Sequence, residues 1–257
     1  MLAHTIEKVP QDPTGWLMSE KLDGVRCYWN GQKMYSRNGN QFYPPKWFAD
    51  GLPKDIALDG ELFTKRADFQ RTVSIVKKYH ADKATDNDWK EITFMVFDAP
   101  LVSGTFSARL EVLKKSLAAY DESIVKFHEH TVCQSQAHLD GELKKVLDLE
   151  GEGLMIKDPK SKYEGTRSKS LLKIKVMLDA EATVIGTESG TGRCAFMMGA
   201  LKVQDKNGQV FKIGTGFSDA QRRNPPKKGT VITFKYQNLT KSGKYRFPAF
   251  DRVHPGL

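Results

Sequence analysis

The chain has 257 residues, 39% of them hydrophobic and 10% aromatic, enough to bury the core of one large or two modest domains. Its formal net charge of +9 is unevenly placed, with 13 Lys/Arg against 6 Asp/Glu in residues 178–257 and 27 against 25 before them. No apolar run is long enough to span a bilayer, the first seven residues lack the basic-then-apolar order of an export signal, and Cys27, Cys133 and Cys194 are too scattered for a disulfide framework or a zinc site.

Residues 1–19 read as a loop-rich lead-in broken by Pro10, Pro13 and Gly15. Residues 25–29 and 33–36 read as short strands joined by the hairpin signal Asn30-Gly31, with a second turn at Arg37-Asn38-Gly39. A strand at 56–58 runs into Asp59-Gly60-Glu61-Leu62-Phe63. Phe69, Val73, Val76 and Tyr79 recur at helical spacing, and the polar stretch 80–90 reads as a surface loop. Residues 93–98 form an apolar run expected to be a buried central strand.

Helical spacing returns over 108–117 and at Leu139, Leu143, Val146 and Leu147, and strands are expected at 154–157 and 170–176. Beyond Asp179 come short alternating strands and the turns Asn207-Gly208, Asn224-Pro225-Pro226 and Ser242-Gly243, which suit a small β-barrel such as an OB-fold. The reading is an α+β chain of two domains, 1–177 and 178–257. The basic second domain points to a polyanion such as nucleic acid, and a plain basic surface fits the charge about as well.

The chemistry concentrates in Ser19-Glu20-Lys21-Leu22-Asp23-Gly24-Val25-Arg26. A lysine serves as a covalent nucleophile only when its amine is made neutral and held still, which at pH 7 costs roughly 4–5 kcal/mol from a reference pKa of ~10.4. Asp23-Gly24 reads as a turn, and Arg26 offers a donor fork suited to phosphate or ribose oxygens. Alone, these residues fit an exposed turn better. Charged residues at other strand ends add to them: Glu61, Glu152 and Lys157, with Lys173 and Lys175 two apart on one strand face. Together they supply a nucleotide site, with Lys173 and Lys175 on phosphate and depressing the pKa of Lys21. Glu152 and Glu61 would hold a divalent cation or ribose, and Phe97 would face a purine. His128 and His130 read as two surface histidines on a strand rather than a metal pair.

At this point the chain resembles the covalent nucleotidyltransferases: ATP-dependent DNA ligases, RNA ligases and mRNA capping enzymes. Lys21-Leu-Asp23-Gly24-Val-Arg26 is similar to their nucleophile motif, Ser36-Arg37-Asn38-Gly39 to the one that follows, and Leu58-Asp59-Gly60-Glu61-Leu62-Phe63 with Phe97-Asp98 to the third and its companion. Glu152-Gly153-Leu154-Met155-Ile156-Lys157 resembles the fourth motif and Leu172-Lys173-Ile174-Lys175 the fifth. Gly214-Thr-Gly216-Phe217-Ser218-Asp219 and Arg246-Phe247-Pro248-Ala249-Phe250-Asp251-Arg252 look like the OB domain of DNA ligases, and the layout is that of the minimal bacterial, ligase E type. Ser19 stands where many ligases carry a glutamate, with Glu20 beside Lys21, and the usual basic tail after the sixth motif is missing.

The resemblance implies a nucleotidyltransferase domain with antiparallel sheets and flanking helices, followed by the OB-fold domain. It implies an ATP-dependent DNA ligase that seals nicks through a lysyl-AMP on Lys21, with Mg²⁺ (or Mn²⁺ in its place), in DNA repair, replication or recombination. Asp23, Lys173 and Lys175 would join Lys21 in catalysis, and Glu61 and Glu152 would hold the metal. Glu20, Arg26, Arg37, Glu61, Phe97, Glu152 and Lys157 would bind the nucleotide, and Arg246 and Arg252 the pyrophosphate. Arg37, Lys65, Arg66, Arg71, Lys77, Lys78, Arg193, Arg222 and Arg223 would hold nicked duplex DNA. A monomer is expected, bacterial and either cytoplasmic or periplasmic after loss of an export signal. A GTP-using capping enzyme, an RNA ligase and a nucleic-acid-binding module without chemistry are the competing readings.

Overall fold

A computed structural model describes residues 1–6, 12–78, 83–175, 177–237, 239–240 and 242–255. Tyr79, His80 and Val176, which the spacing places in a helix, a loop and a strand, lie outside them. The chain divides into two compact units, Met1–Lys175 and Val176–Leu257.

In the first unit the elements are β1 (Leu2–Ile6), β2 (Leu17–Glu20), β3 (Val25–Trp29), β4 (Met34–Ser36), β5 (Gln41–Phe42), α1 (Lys46–Asp50), β6 (Leu58–Phe63), α2 (Phe69–Val76), α3 (Lys83–Asp88), β7 (Thr93–Asp98), α4 (Phe106–Leu117), β8 (Val125–Phe127), β9 (Thr131–Val132), α5 (Gln136–Asp148), β10 (Leu154–Lys157) and β11 (Arg167–Ile174). They build two sheets, ordered β1-β11-β10-β2-β9 and β5-β4-β3-β6-β7-β8. Most pairs are antiparallel, as expected, but β1 with β11 and β7 with β8 run parallel.

Local chemistry explains these elements. The Asn30 side chain accepts from the amides of Gln32 and Lys33 at 2.9 and 2.7 Å, and Gly31 takes φ +94°, so the β3–β4 hairpin closes where the sequence indicates. Helix α4 starts at Thr105 and α5 at Ser135, whose hydroxyls accept from the amides of Ala108 and His138. The six-stranded sheet buries Cys27, Trp29, Leu62, Phe94 and Val96 with Phe48 of α1, Ile75 of α2 and Leu113 of α4. The five-stranded sheet buries Met18, Leu154, Ile156 and Leu172 with Leu139 and Val146 of α5.

Two expectations fail here. Among the described residues of the lead-in, 2–6 and 17–20 are strands, β1 and β2, paired with β11 and β10, because strands of four or five residues are too short to show a period in the sequence. The described part of the stretch expected to be a surface loop is not a loop either, since it holds α3 and a 3₁₀ turn at Trp89–Glu91. Trp89 is buried edge-on to Phe48, centroids 5.0 Å apart, and a single apolar residue gives no periodicity to read.

The second unit holds β12 (Leu178–Ser189), β13 (Met198–Asp205), β14 (Val210–Ile213), α6 (Asp219–Arg223), β15 (Val231–Tyr236) and β16 (Ala249–Val253), in one antiparallel sheet ordered β14-β13-β12-β15-β16. Its core is Val184, Leu201, Val203, Ile213, Ile232 and Phe234. The expected closed barrel is not formed among the described residues. The sheet is open, and its edges meet only through a parallel bridge between Thr215 and Ala249. Period-2 alternation specifies which face is buried but not whether the two edges pair, so closure was not legible. No helix among the described residues is long and apolar enough to cross a membrane.

Candidate active site

Three neighbouring strands set the centre of the site by register. Leu154 of β10 lies opposite Glu20 of β2 on one side and Ile174 of β11 on the other. Lys21, Glu152 and Lys175, each one or two residues beyond that row, therefore meet at one end of the sheet. Glu152, buried at 4% side-chain exposure, ion-pairs with both Lys21 and Lys175. The Lys21 amide donates to the Gly153 carbonyl at 2.8 Å, tying the backbone of the lysine to the same turn. Gly153 has φ +144°, and a Cβ there would sit 2.2 Å from the Ile174 carbonyl oxygen, so only glycine lets β10 start this close to β11.

Residues 21–24 carry the chain from one sheet to the other. A Cβ on Gly24 would meet the Leu62 carbonyl oxygen at 2.3 Å and the Glu61 Cγ at 2.8 Å, so this glycine is what admits Glu61 beside the lysine turn. One pocket of the first unit is lined by Glu20, Lys21, Arg26, Arg37, Glu61, Phe97, Lys157 and Lys173 among the expected residues. Burial lowers the pKa of the Lys173 ammonium, with Lys175 and Lys21 adding repulsion. Asp23 is half-buried and does not line the pocket.

Burial pushes the Glu61 carboxyl up to about 7 against the opposing pull of Arg26 and Lys21. A carboxyl that binds its proton more tightly folded than unfolded loses stability as pH rises, here between about 4.5 and about 7. Glu61→Gln is therefore expected to unfold with nearly the free energy of wild type at pH 4.5 and to exceed it at pH 8 by up to about 3 kcal/mol, read by urea unfolding at both values.

Several expected ligand contacts prove to be held by the protein. Arg26 forks onto Asp59 through Nε and Nη2, both at 2.5 Å, and its guanidinium lies 4.7 Å from the Phe97 ring centroid. Asp59 also accepts from the Tyr163 hydroxyl at 2.7 Å. Lys157 donates to Asp98 at 2.6 Å, and Asp98 also takes Arg109 Nε at 2.7 Å and Nη2 at 3.1 Å. Burial alone would raise the Asp98 pKa, but Arg109 and Lys157 outweigh it and hold it below the ordinary aspartate value.

The expected DNA contacts sort in the same way. Arg66 forks onto Glu20 at 2.7 and 2.7 Å, so both side chains are engaged. Arg71 is drawn into a surface cluster with Asp88 and Glu91, where Lys78 also donates to Asp88 at 2.9 Å. Arg222 donates to the carbonyls of Met198, Gly199 and Gly214 at 3.0, 2.9 and 2.8 Å, stapling β13 to the segment after β14. Arg193 lies 3.2 Å from Asp219 and Arg252 pairs with Asp251, while Arg246 stands 5.2 Å from the Phe247 ring. Arg37, Lys65, Lys77 and Arg223 are exposed.

Sequence reasoning missed part of the pocket wall. His128 and His130 are neither on a strand nor exposed: they lie between β8 and β9, His128 buried and His130 half-buried, and line the pocket with Tyr163 and Met155. A polar His-Glu-His segment carries no burial signal, so only the packing of Phe106 and Phe127 around it discloses its place.

Residues 1–175 match the ATP dependent DNA ligase domain family, and residues 189–254 match the DNA ligase OB-like domain family. The chain belongs to the ATP-dependent DNA ligases. A DNA ligase of Haemophilus influenzae is 39% identical over 252 residues, covering 98% of this chain and 91% of the relative. A solved structure of a Lig E DNA ligase, described as binding DNA with a minimal scaffold, aligns with a TM-score of 0.91 at 37% identity over 98% of both chains. A Chlorella virus DNA ligase-adenylate aligns at 0.58 with 26% identity, over 98% of each. The family joins DNA ends using ATP through an enzyme adenylate, so ATP and DNA are this ligase's substrates and a divalent metal its general requirement. The resemblance carried by the motifs is thus the right one, as is the nucleotidyltransferase-plus-OB organisation.

Proposed function

We propose that Lys21 is the residue adenylated by this ligase and that nicked duplex DNA is its preferred substrate, with Mg²⁺ as the working metal. The reading is supported above all by the register of β2, β10 and β11, which gathers Lys21, Glu152 and Lys175 at one sheet end beside the pocket. Lys21 Nζ attacks the α-phosphorus of ATP; a P–N bond forms, the P–O bond to pyrophosphate breaks, and pyrophosphate leaves. The ammonium must first lose its proton, and Glu152 is the base in contact with it. AMP then passes to the 5′-phosphate of the nick, freeing Lys21, and attack by the 3′-hydroxyl seals the strand and expels AMP.

Glu61 and Glu152 suit a metal that borrows oxygens from substrate phosphates. No cluster of three or more acidic, histidine or cysteine ligands occurs among the described residues, and burial keeps the Glu61 carboxyl at about 7 despite Arg26 and Lys21 nearby. Mg²⁺ held there would neutralise phosphate charge, while Lys173 and Lys175 orient the chain of phosphates and Arg37 steers the nick phosphate. Phe97 and Met155 flank the base.

The test uses α-labelled ATP on protein first stripped of AMP with pyrophosphate, followed by a chase with nicked duplex. Label on the protein that is discharged as sealed DNA is the expected result; label that never leaves on addition of DNA would sink the reading. Phosphate contacts should dominate DNA affinity, because a nick sealer tolerates any sequence. Arg223→Ala is expected to reduce the slope of log K against log salt by about 1, whereas Arg71→Ala leaves it unchanged because Arg71 is spent on Asp88 and Glu91. Fluorescence anisotropy across a salt titration reads both.

A further inference from the structure

Arg26, Asp59 and Phe97 stand on β3, β6 and β7 of the six-stranded sheet, whereas Tyr163 belongs to the segment that joins β10 to β11 of the five-stranded one. The Tyr163 hydroxyl donates to Asp59 Oδ2 at 2.7 Å, so this bond ties the two sheets together at the pocket that both residues line. The same carboxylate oxygen takes Arg26 Nη2 at 2.5 Å, and Oδ1 takes Arg26 Nε. The Arg26 guanidinium in turn lies over the Phe97 ring, 4.7 Å from its centroid. Tyr163, Asp59, Arg26 and Phe97 thus form one chain of contacts running from sheet to sheet.

Phe97 is the residue of this chain that most needs support. Where β6 pairs with β7, Asp59 lies opposite Asp98 and Gly60 opposite Val96, so the ladder passes Phe97 over. A bulge residue of this kind has no partner across the ladder to hold it, and bulges beside sites re-aim a side chain. A Cβ on Gly60 would meet the Met95 carbonyl oxygen at 2.4 Å, so the bulge also requires glycine beside it. The Phe97 side chain is half-buried, with Val96 and Asp98 buried on either side of it. Its ring is therefore aimed by the guanidinium stacked on it, and the guanidinium by its planar fork onto Asp59. Tyr163 holds that carboxylate from the opposite sheet.

We propose that Tyr163 is a positioning residue for ATP: its hydroxyl fixes Asp59, Asp59 aims Arg26, and Arg26 sets the bulged Phe97 ring at the angle that stacks on the purine. The proposal rests on the reading of this pocket as the one that holds ATP for Lys21, with the base between Phe97 and Met155. Met155 stands on β10, so a tie between the sheets also sets the width of the slot between these two side chains. Tyr163 therefore acts on the binding of the base and leaves the attack of Lys21 on the α-phosphorus as it is.

The test is Lys21 labelling by ATP in a double-mutant cycle of Tyr163→Phe and Phe97→Ala, made in the full chain. Tyr163→Phe removes the hydroxyl and keeps the ring, which lies 5.8 Å from Lys157 Nζ and 5.9 Å from the Arg109 guanidinium. It is expected to raise KM for ATP about fivefold and to leave kcat within about twofold of wild type. On the Phe97→Ala background the same change should move KM by less than about twofold, because a residue that acts through the ring has nothing left to act on. Additive effects of the two substitutions overturn the proposal, as does an unchanged KM or a loss confined to kcat in Tyr163→Phe. If that variant fails to fold, Asp59→Asn enters the same cycle from the middle of the chain: a KM effect that vanishes on the Phe97→Ala background upholds the proposal, and additivity refutes it. A wild-type KM in Phe97→Ala alone would place the base elsewhere and overturn it too. Absence of label from ATP on the wild type would instead defeat the Lys21 assignment itself.

Discussion

Lys21→Ala is expected to carry no label from α-labelled ATP, with nick sealing from ATP lowered on the order of 10⁴-fold or more, as removal of a covalent nucleophile does. The fold should survive, because Glu152 keeps Lys175 as its ion-pair partner when Lys21 is gone. A nick already carrying AMP on its 5′-phosphate bypasses the missing step, so sealing of that substrate should persist within about tenfold of wild type. This pair of results separates loss of the acceptor from general damage to the pocket. Sealing of the ordinary nick by the alanine variant at a tenth of the wild-type rate would refute the assignment, and failure on both substrates with a lowered melting temperature would mean Lys21 holds the sheet end together.

Asp98→Ala should produce the largest loss of stability. Asp98 is 1% exposed and satisfies Arg109, whose side chain is fully buried, and Lys157, at 7%. Removing the carboxylate strands two buried cations, and breaking a buried ion pair in this way costs about 3–5 kcal/mol. For a domain of this size that is a fall in melting temperature on the order of 10 °C, read by calorimetry on the first unit's transition. Because Asp98 is held below its ordinary pKa, its contribution is complete above about pH 4 and fades only as pH falls further. The wild-type advantage should therefore be flat from about pH 5 to about pH 8. A loss under about 1 kcal/mol would mean that water reaches Arg109 and Lys157 once the carboxylate is gone.

Lys157 and Arg26 show how motif residues can be placed at the pocket while the groups that hold them go unread. Both line the pocket, yet each pairs with an aspartate: the register of β3 with β6 brings Asp59 to Arg26, and the approach of the two sheets brings Asp98 of β7 to Lys157 of β10. Arg222 is parallel: its exposed-looking basic position on α6 gave no hint that its guanidinium would hold three backbone carbonyls. In each case the partner is distant in sequence, and a pattern read along the chain cannot rank one long-range partner over another.

By itself the sequence determined the family, the Lys21–Gly24 turn and most of the strands and helices. Those rest on short-range chemistry: glycine at Gly24 and Gly153, the Asn30-Gly31 turn, and apolar periods of two and about 3.6 residues. Tertiary structure alone decided that β1 and β2 join the five-stranded sheet, that the second unit's sheet stays open, and that His128 and His130 line the pocket. It also decided which aspartates and glutamates Arg26, Arg66 and Lys157 pair with. Pairing of strand edges and of buried charges depends on which distant groups pack together, and the free energy of that choice resides in contacts that no local stretch contains.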